Sequence, residues 1–217
     1  MVSGMEHVIN AIRQHKLIAI VRGFSGEELM GAAEALYLGG VRLLEVTFDQ
    51  SGKIPDSETA ENIRLLRNNF EGKLLIGAGT VMNESQVLAA KEAGAEYIIS
   101  PDVNGAVIKK TKALGMVSIP GALTPTEIVT AYTLGADFVK LFPAGDLGLS
   151  YIKSVRAPLS HIPMLAVGGV SVNNIRDFLD TGISGVGIGS AIVNKSLIKN
   201  GDFEGLTELA REFTKQI

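Results

Sequence analysis

Short apolar runs alternate along the chain with segments that have helical periodicity. The runs are rich in Val, Ile and Leu and lie at 17–21, 41–46, 74–78, 97–100, 116–119, 138–142, 164–167 and 185–188. A strand of a parallel sheet has this continuous apolar character when helices cover both of its faces. The pattern therefore predicts eight buried strands, each followed by a helix.

Capping residues mark the ends of several predicted helices. Asn83 and Ser171 stand where an N-cap is expected. Glycines precede the next apolar run at Gly39-Gly40, Gly94, Gly115, Gly135 and Gly182, as glycine does just past the end of a helix. A further helix is predicted over residues 6–15, before the first strand.

Eight strands that alternate with helices in 217 residues predict an α/β fold, the (β/α)8 TIM barrel, with an extra N-terminal helix. An open, doubly wound sheet is the alternative, and it would require a reversal in strand order. No low-complexity linker divides the sequence, so we expect residues 1–217 to form a single barrel domain.

Composition narrows the possible partners. The net charge is −3, so there is no basic excess of the kind that binds nucleic acid. No apolar run approaches the roughly 20 residues that span a membrane, and the first residues lack the features of a signal peptide. We therefore expect a cytoplasmic protein with no nucleic-acid or membrane partner. Because the chain has no cysteine and no visible cluster of His and carboxylate residues, we predict no metal site.

Lys140 interrupts the sixth apolar run, between Val139 and Leu141. Burial disfavours the charged form of an amine, so its pKa should fall below the ordinary value of about 10.4. A lysine that is present as the free amine attacks carbonyl carbon, which is the first step of Schiff-base chemistry. An internal ion pair, or a side chain that reaches out to water, is the alternative.

Other unexpected residues fall at the carboxyl ends of the predicted strands, where barrel enzymes carry their functional groups. They are Arg22, Glu45, Thr47, Gly79-Thr80, Ser100-Pro101, Pro120-Gly121, Gly168-Gly169 and Gly189-Ser190. Because side chains alternate along a strand, Glu45 shares a face with Leu43, and Lys140 shares one with Phe138. We expect both faces to point into the barrel.

Two further interpretations stay open at this point. Glu45 is either a general acid/base beside an amine nucleophile or a structural partner for Arg22 or Lys140. The glycines at 168–169 and 187–189 either expose backbone amides at helix N-termini, forming a phosphate site, or only make tight turns.

The motifs that carry these residues resemble those of a known family. They are Ile20-Val21-Arg22-Gly23, Leu44-Glu45-Val46-Thr47, Gly77-Ala78-Gly79-Thr80, Ile99-Ser100-Pro101, Lys140-Leu141-Phe142-Pro143, Gly168-Gly169-Val170 and Gly189-Ser190-Ala191. In this order they are similar to the motifs of the class I KHG/KDPG aldolases, which cleave 2-keto-3-deoxy-6-phosphogluconate or 4-hydroxy-2-oxoglutarate. The resemblance extends from Leu17 to the C-terminus.

The resemblance implies a role for each of these residues. Lys140 would form the Schiff base, and Glu45 would move protons. Thr80 with Arg22 would hold the carboxylate at the pyruvate end, and the phosphate would lie against Gly168, Gly169 and Ser190. The remaining residues that we expect to bind substrate are Thr47, Pro101, Phe142 and Gly189.

The resemblance also implies a homotrimer that needs no metal or organic cofactor and that acts on a keto-acid sugar phosphate. We predict cleavage of 2-keto-3-deoxy-6-phosphogluconate to pyruvate and glyceraldehyde 3-phosphate, and also cleavage of 4-hydroxy-2-oxoglutarate.

The sequence departs from one branch of the family, which has an arginine in place of Asp49 and often a threonine in place of Val167. Val167 is shared with relatives that act on the galactonate epimer, so a galactonate aldolase is an alternative. A phosphate-binding barrel isomerase or epimerase, with Glu45 as the base and Lys140 acting only electrostatically, is a further alternative. A non-enzymatic sugar-phosphate sensor is a third, although a sensor has no need of a buried amine.

Overall fold

A computed structural model of the chain describes residues 4–217. Its strands are β1 Leu17–Val21, β2 Leu43–Thr47, β3 Leu75–Gly79, β4 Tyr97–Ile99, β5 Val117–Ile119, β6 Gly121–Ala122, β7 Val139–Leu141, β8 Met164–Val167 and β9 Gly185–Ile188. Its helices are α1 Gly4–His15, α2 Gly26–Leu38, α3 Asp56–Asn69, α4 Glu84–Glu92, α5 Gly105–Ala113, α6 Pro125–Thr133, α7 Ala144–Arg156, α8 Ile175–Asp180, α9 Lys195–Lys199 and α10 Phe203–Thr214. Among these helices none is both long and apolar enough to cross a membrane.

The strands are all parallel and follow one another in sequence order around the sheet, with β1 paired to both β2 and β9. The fifth predicted strand, 116–119, is observed as β5 and pairs with β4. After Pro120, which has no backbone N–H to contribute to a ladder, the chain adds a short strand that was not predicted, β6, and this strand pairs with β7. The Lys140 amide donates to the Pro120 carbonyl at 2.8 Å, which joins β7 to the residue between β5 and β6. The sheet therefore closes into the predicted barrel, and the open doubly wound alternative is wrong.

The barrel interior is a cluster of apolar side chains that is closed from below by α1. The cluster consists of Ile18, Leu43, Tyr97, Ile99, Val117, Ile119, Phe138 and Leu165, together with Val8 and Ile12 of α1. Since Leu43 and Phe138 point inward, Glu45 and Lys140, two residues further along their strands, lie on the same inward faces. The predicted orientation of both charged residues is thus confirmed.

Some predicted boundaries were wrong, each for a local reason. The second strand begins at Leu43 instead of Val41, because the Val41 amide still donates to Leu36 and completes the turn after α2. Asn83 caps α4 as predicted, accepting from the Gln86 amide at 2.9 Å. Ser171 does not cap a helix: its amide donates to the Asn174 side chain at 2.8 Å, and α8 begins only at Ile175.

Candidate active site

Lys140 lies in β7 at the carboxyl end of the barrel, with its side chain only 8% exposed. Burial lowers the pKa of its amine below the ordinary value, an effect that the Glu45 carboxylate opposes and the Arg22 guanidinium reinforces. The Nζ atom lies 4.9 Å from the centre of the Phe142 ring, which is half-exposed at the end of the same strand. The lowered pKa increases the fraction of free amine, the form that attacks a carbonyl group.

Glu45 lies in β2 and is 2% exposed. Burial raises the pKa of its carboxyl group, and the positive charges of Lys140 and Arg22 oppose that rise. Gly79 of the neighbouring strand gives the carboxylate its space, because a Cβ at that position would overlap the Glu45 carboxylate. A carboxyl group with a raised pKa, beside an amine with a lowered pKa, is suited both to accept a proton and to return it.

Arg22 and Thr80 form a polar pair beside these two residues. Arg22 follows β1, is exposed, and donates from Nη2 to the Thr80 hydroxyl at 3.1 Å. Thr80 follows β3 and has a φ of +55°, in the left-handed region that a β-branched residue rarely adopts. A guanidinium and a hydroxyl held side by side are suited to bind a carboxylate by charge-assisted hydrogen bonds.

A cleft of about 460 Å³ extends from Arg22 towards the glycine loops after β8 and β9. Its wall includes these residues: Ile20, Arg22, Phe142, Val167, Gly168, Gly169, Val170, Ser171, Gly187, Gly189, Ser190 and Ala191. Six of the residues expected to bind substrate are therefore brought together here. Gly169 has a φ of +74°, and a Cβ there would lie 2.7 Å from the Gly145 Cα. No other residue fits that backbone contact without a shift.

The expectation that helices begin directly after these glycines was wrong. After Gly168-Gly169 the chain makes a turn before α8 begins at Ile175, and after Gly189 it makes a turn before α9 begins at Lys195. In the second turn the amides of Ile192 and Val193 donate back to the Gly189 carbonyl. The groups that could bind an anion in this cleft are thus loop backbone amides and the Ser190 hydroxyl, and helix dipoles would contribute little.

Thr47 and Pro101 lie outside the walls of this cleft. Thr47 ends β2 at 7% exposure, and within the described residues its hydroxyl oxygen is buried without a hydrogen-bond partner. It lines a smaller cavity together with Arg22 and residues of the loop after β2. Pro101 follows β4, and its carbonyl packs so closely on Gly121 that a Cβ there would overlap it.

Asp49 has a structural role that its position in the sequence did not suggest. Its carboxylate accepts hydrogen bonds from the Ser51 amide and hydroxyl and from the amides of Lys53 and Ile54, at 2.7–3.0 Å. These bonds, led by those from Ser51, lower the pKa of Asp49 to about 2. Asp49 therefore shapes the loop after β2, and Arg22 supplies the cation at this end of the site.

One residue's role and one set of supporting residues were missed from the sequence. Gly187 was grouped with the glycines of the possible phosphate loop, but its role is to keep the floor of the cleft open, since a Cβ there would lie 2.8 Å from a Val167 methyl group. The spacing of glycines at 185, 187 and 189 was the available signal, because it places every second residue of β9 on one face. The supporting residues form a glutamine network behind Thr80, described below. Within residues 4–217 no three His, Asp or Glu side chains group as metal ligands do.

Comparison with known proteins places the chain in a family. The family model described as KDPG and KHG aldolase matches residues 8–209. A probable 2-dehydro-3-deoxy-6-phosphogalactonate aldolase of Rhizobium meliloti is 38% identical over 82% of each chain. A 2-dehydro-3-deoxy-phosphogluconate aldolase of Haemophilus influenzae is 31% identical over 95% of each chain.

The similarity extends to solved structures. The KDPG aldolase of Legionella pneumophila, solved with pyruvate captured as a covalent carbinolamine, superposes with a TM-score of 0.83 at 29% identity. The superposition covers 94% of this chain and 96% of that one. The family model matches nearly the whole barrel, and family membership explains both the strand-end motifs and the buried lysine. The chain belongs to the KDPG and KHG aldolase family.

Proposed function

We propose that the protein is a class I aldolase that cleaves a 2-keto-3-deoxy-6-phospho-aldonate to pyruvate and glyceraldehyde 3-phosphate. The observation that carries the proposal is the Lys140 amine, buried at the carboxyl end of the barrel with a lowered pKa and coupled to the Glu45 carboxyl group. The carbinolamine seen in the Legionella relative supports it, since a carbinolamine is the adduct of an amine with a ketone.

The reaction begins when Lys140 attacks the C2 ketone of the substrate and water leaves, giving an iminium ion. Glu45, acting through a water molecule, takes the proton of the C4 hydroxyl group. The C3–C4 bond then breaks, and its electron pair moves towards the iminium nitrogen to form an enamine. Glyceraldehyde 3-phosphate leaves. Protonation of the enamine at C3 and hydrolysis release pyruvate and restore the amine.

The two ends of the substrate bind at opposite sides of Lys140. The pyruvate-end carboxylate is held by Arg22 and Thr80, which the 3.1 Å hydrogen bond already brings together. The phosphate lies in the glycine cleft against Gly168, Gly169 and Ser190. We also propose contacts from Phe142 and Gly189 within the cleft, and from Thr47 and Pro101 outside its walls. In our proposal the enzyme is a homotrimer. The exposed apolar side chains Val129 and Tyr132 on α6, and Leu123 just before it, support this assembly.

The epimer preference is a second question, since relatives of both kinds match the chain. Val167 is buried in the cleft wall next to Gly168, where an apolar side chain cannot hydrogen-bond a sugar hydroxyl. This observation and the similarity to the Rhizobium protein make the galactonate epimer the main alternative to the gluconate epimer as substrate.

Cleavage of three substrates side by side tests the proposal: the phosphogluconate derivative, its galactonate epimer and 4-hydroxy-2-oxoglutarate. Pyruvate release is measured by coupling to lactate dehydrogenase. We expect pyruvate from at least one phosphorylated epimer, and the ratio of the two kcat/KM values gives the preference. Release of pyruvate from none of the three would contradict the proposal.

The phosphate position gives a further prediction. Ser190→Ala removes a hydroxyl donor to a charged group, a hydrogen bond of about 1.5–3 kcal/mol, and should lower kcat/KM for the phosphorylated substrate roughly ten- to hundredfold. Inorganic phosphate should compete with that substrate in the unmodified enzyme. Steady-state kinetics measures both effects.

The controls for Ser190→Ala are a second substrate and a second serine. Cleavage of 4-hydroxy-2-oxoglutarate, which carries no phosphate, should hardly change. Ser154→Ala, at an exposed serine on α7, should leave both substrates unaffected. Equal losses on the two substrates in Ser190→Ala would place the phosphate elsewhere.

A further inference from the structure

Thr80 is held in an unfavourable backbone conformation by groups outside its own loop. Within residues 4–217 it is one of two non-glycine residues with a positive φ, the other being Lys16. A β-branched residue in this region persists only where its surroundings fix it. The contacts that fix Thr80 therefore also determine where its hydroxyl points.

Gln50 supplies the direct contact. Its side-chain amide donates one hydrogen bond to the Thr80 carbonyl at 2.7 Å and another to the Gln86 side-chain oxygen at 3.2 Å. The Thr80 hydroxyl meanwhile accepts from Arg22. Thr80 is thus held at its carbonyl by Gln50 and at its side chain by Arg22, from two different loops.

Gln86 anchors Gln50 from within the protein. It is 3% exposed, although it lies in the first turn of α4, where a glutamine is ordinarily solvated. Its oxygen also accepts from the Met82 amide at 2.9 Å, and its amide donates to Asp56 at 3.1 Å. A buried amide whose donor and acceptor are both engaged has one orientation, so it presents its oxygen to Gln50 in a fixed place.

We infer that Gln50, oriented by Gln86, is a positioning residue that aims the Thr80 hydroxyl at the pyruvate-end carboxylate. The inference rests on the proposed function, in which Thr80 and Arg22 bind that carboxylate. In the described part of the chain, Gln50 and Gln86 make no hydrogen bond to Lys140, and neither lines the glycine cleft. It should therefore set the affinity for pyruvate without changing the chemistry at the amine or the binding of phosphate.

The test is Gln50→Met, which keeps the length of the side chain and removes only its hydrogen-bonding groups. Gln50 is exposed, so the variant should fold. The protein is incubated with increasing pyruvate and cyanoborohydride, and the trapped fraction is read from the intact mass. We expect the pyruvate concentration for half-maximal trapping to rise roughly three- to tenfold, the effect of one lost hydrogen bond, with the maximal trapping rate little changed.

Two comparisons separate positioning from a general effect on the fold. Gln14→Met, at an exposed glutamine of α1 below the barrel, should not change the half-maximal concentration. In a Thr80→Ala background, which has no hydroxyl to aim, Gln50→Met should add little to the effect of Thr80→Ala alone.

The inference is overturned if Gln50→Met leaves the half-maximal concentration unchanged, or if its effect multiplies in full with that of Thr80→Ala. A rise matched by an equal rise in the KM for the aldehyde phosphate would also overturn it, because a disturbed fold would affect both ends of the site. Absence of any adduct on the unmodified enzyme would instead mean that the proposed function fails, and the inference would fail with it.

Discussion

Lys140→Arg should abolish both turnover and the adduct that pyruvate and borohydride form with the unmodified enzyme. Arginine keeps the positive charge and nearly the length of lysine, but its guanidinium group is effectively always protonated and is no useful nucleophile. Peptide mass mapping after trapping should find the adduct on Lys140. Lys153→Arg, at an exposed lysine of α7, is the matched control and should retain activity and trapping.

This variant also separates the aldolase from its alternatives. An isomerase, or a sensor that used Lys140 only for its charge, would tolerate arginine better than any neutral residue, and neither would be trapped by borohydride. An adduct on another lysine, with Lys140 unmodified under turnover conditions, would remove the basis of the proposed mechanism.

The pH dependence of trapping follows from the same burial. Because the pKa of the Lys140 amine is lowered, the free amine is already present below the pH at which an exposed lysine loses its proton. The trapping rate should therefore rise with pH and level off before the ordinary lysine pKa of about 10.4.

The strand residues of the site could be predicted from the sequence because each breaks a strong local pattern. Lys140 and Glu45 are charges inside otherwise apolar runs, and the two-residue period of a strand shows which neighbours share their faces. The same alternation of strands and helices was enough to predict the barrel, which the strand order confirms.

The residues that support the site break no such pattern. Gln86 reads as a solvated residue in the first turn of a helix, and its burial depends on partners 30 and 36 positions away, Asp56 and Gln50. The long-range contacts of Gln86 form only once the barrel has closed. The glycines after β8 indicated positive φ values, but no periodic signal in the sequence shows that a turn separates them from α8.

Asp49 shows a related limit of comparison with a family. At its position one branch carries an arginine, so the departure raised a question about substrate binding. The structure shows a carboxylate fully occupied by the loop that follows, with Arg22 approaching from β1. The family resemblance had already suggested Arg22 as the cation, but the sequence alone could not show that the Asp49 carboxylate is bonded within the loop that follows it.

Glu45→Gln should leave iminium formation intact but slow cleavage roughly 10²–10⁴-fold, the usual contribution of general acid–base catalysis. Glutamine fits the space beside Gly79 but cannot take the C4 hydroxyl proton. The Glu45 charge raises the pKa of Lys140, so its removal should lower that pKa further and move the onset of trapping to lower pH. Single-turnover cleavage and the pH profile of trapping measure the two effects, with Glu34→Gln on α2 as an exposed control.

Near-full kcat together with the shifted trapping profile would show that Glu45 acts only as the electrostatic partner of Lys140. Another group would then have to carry the proton.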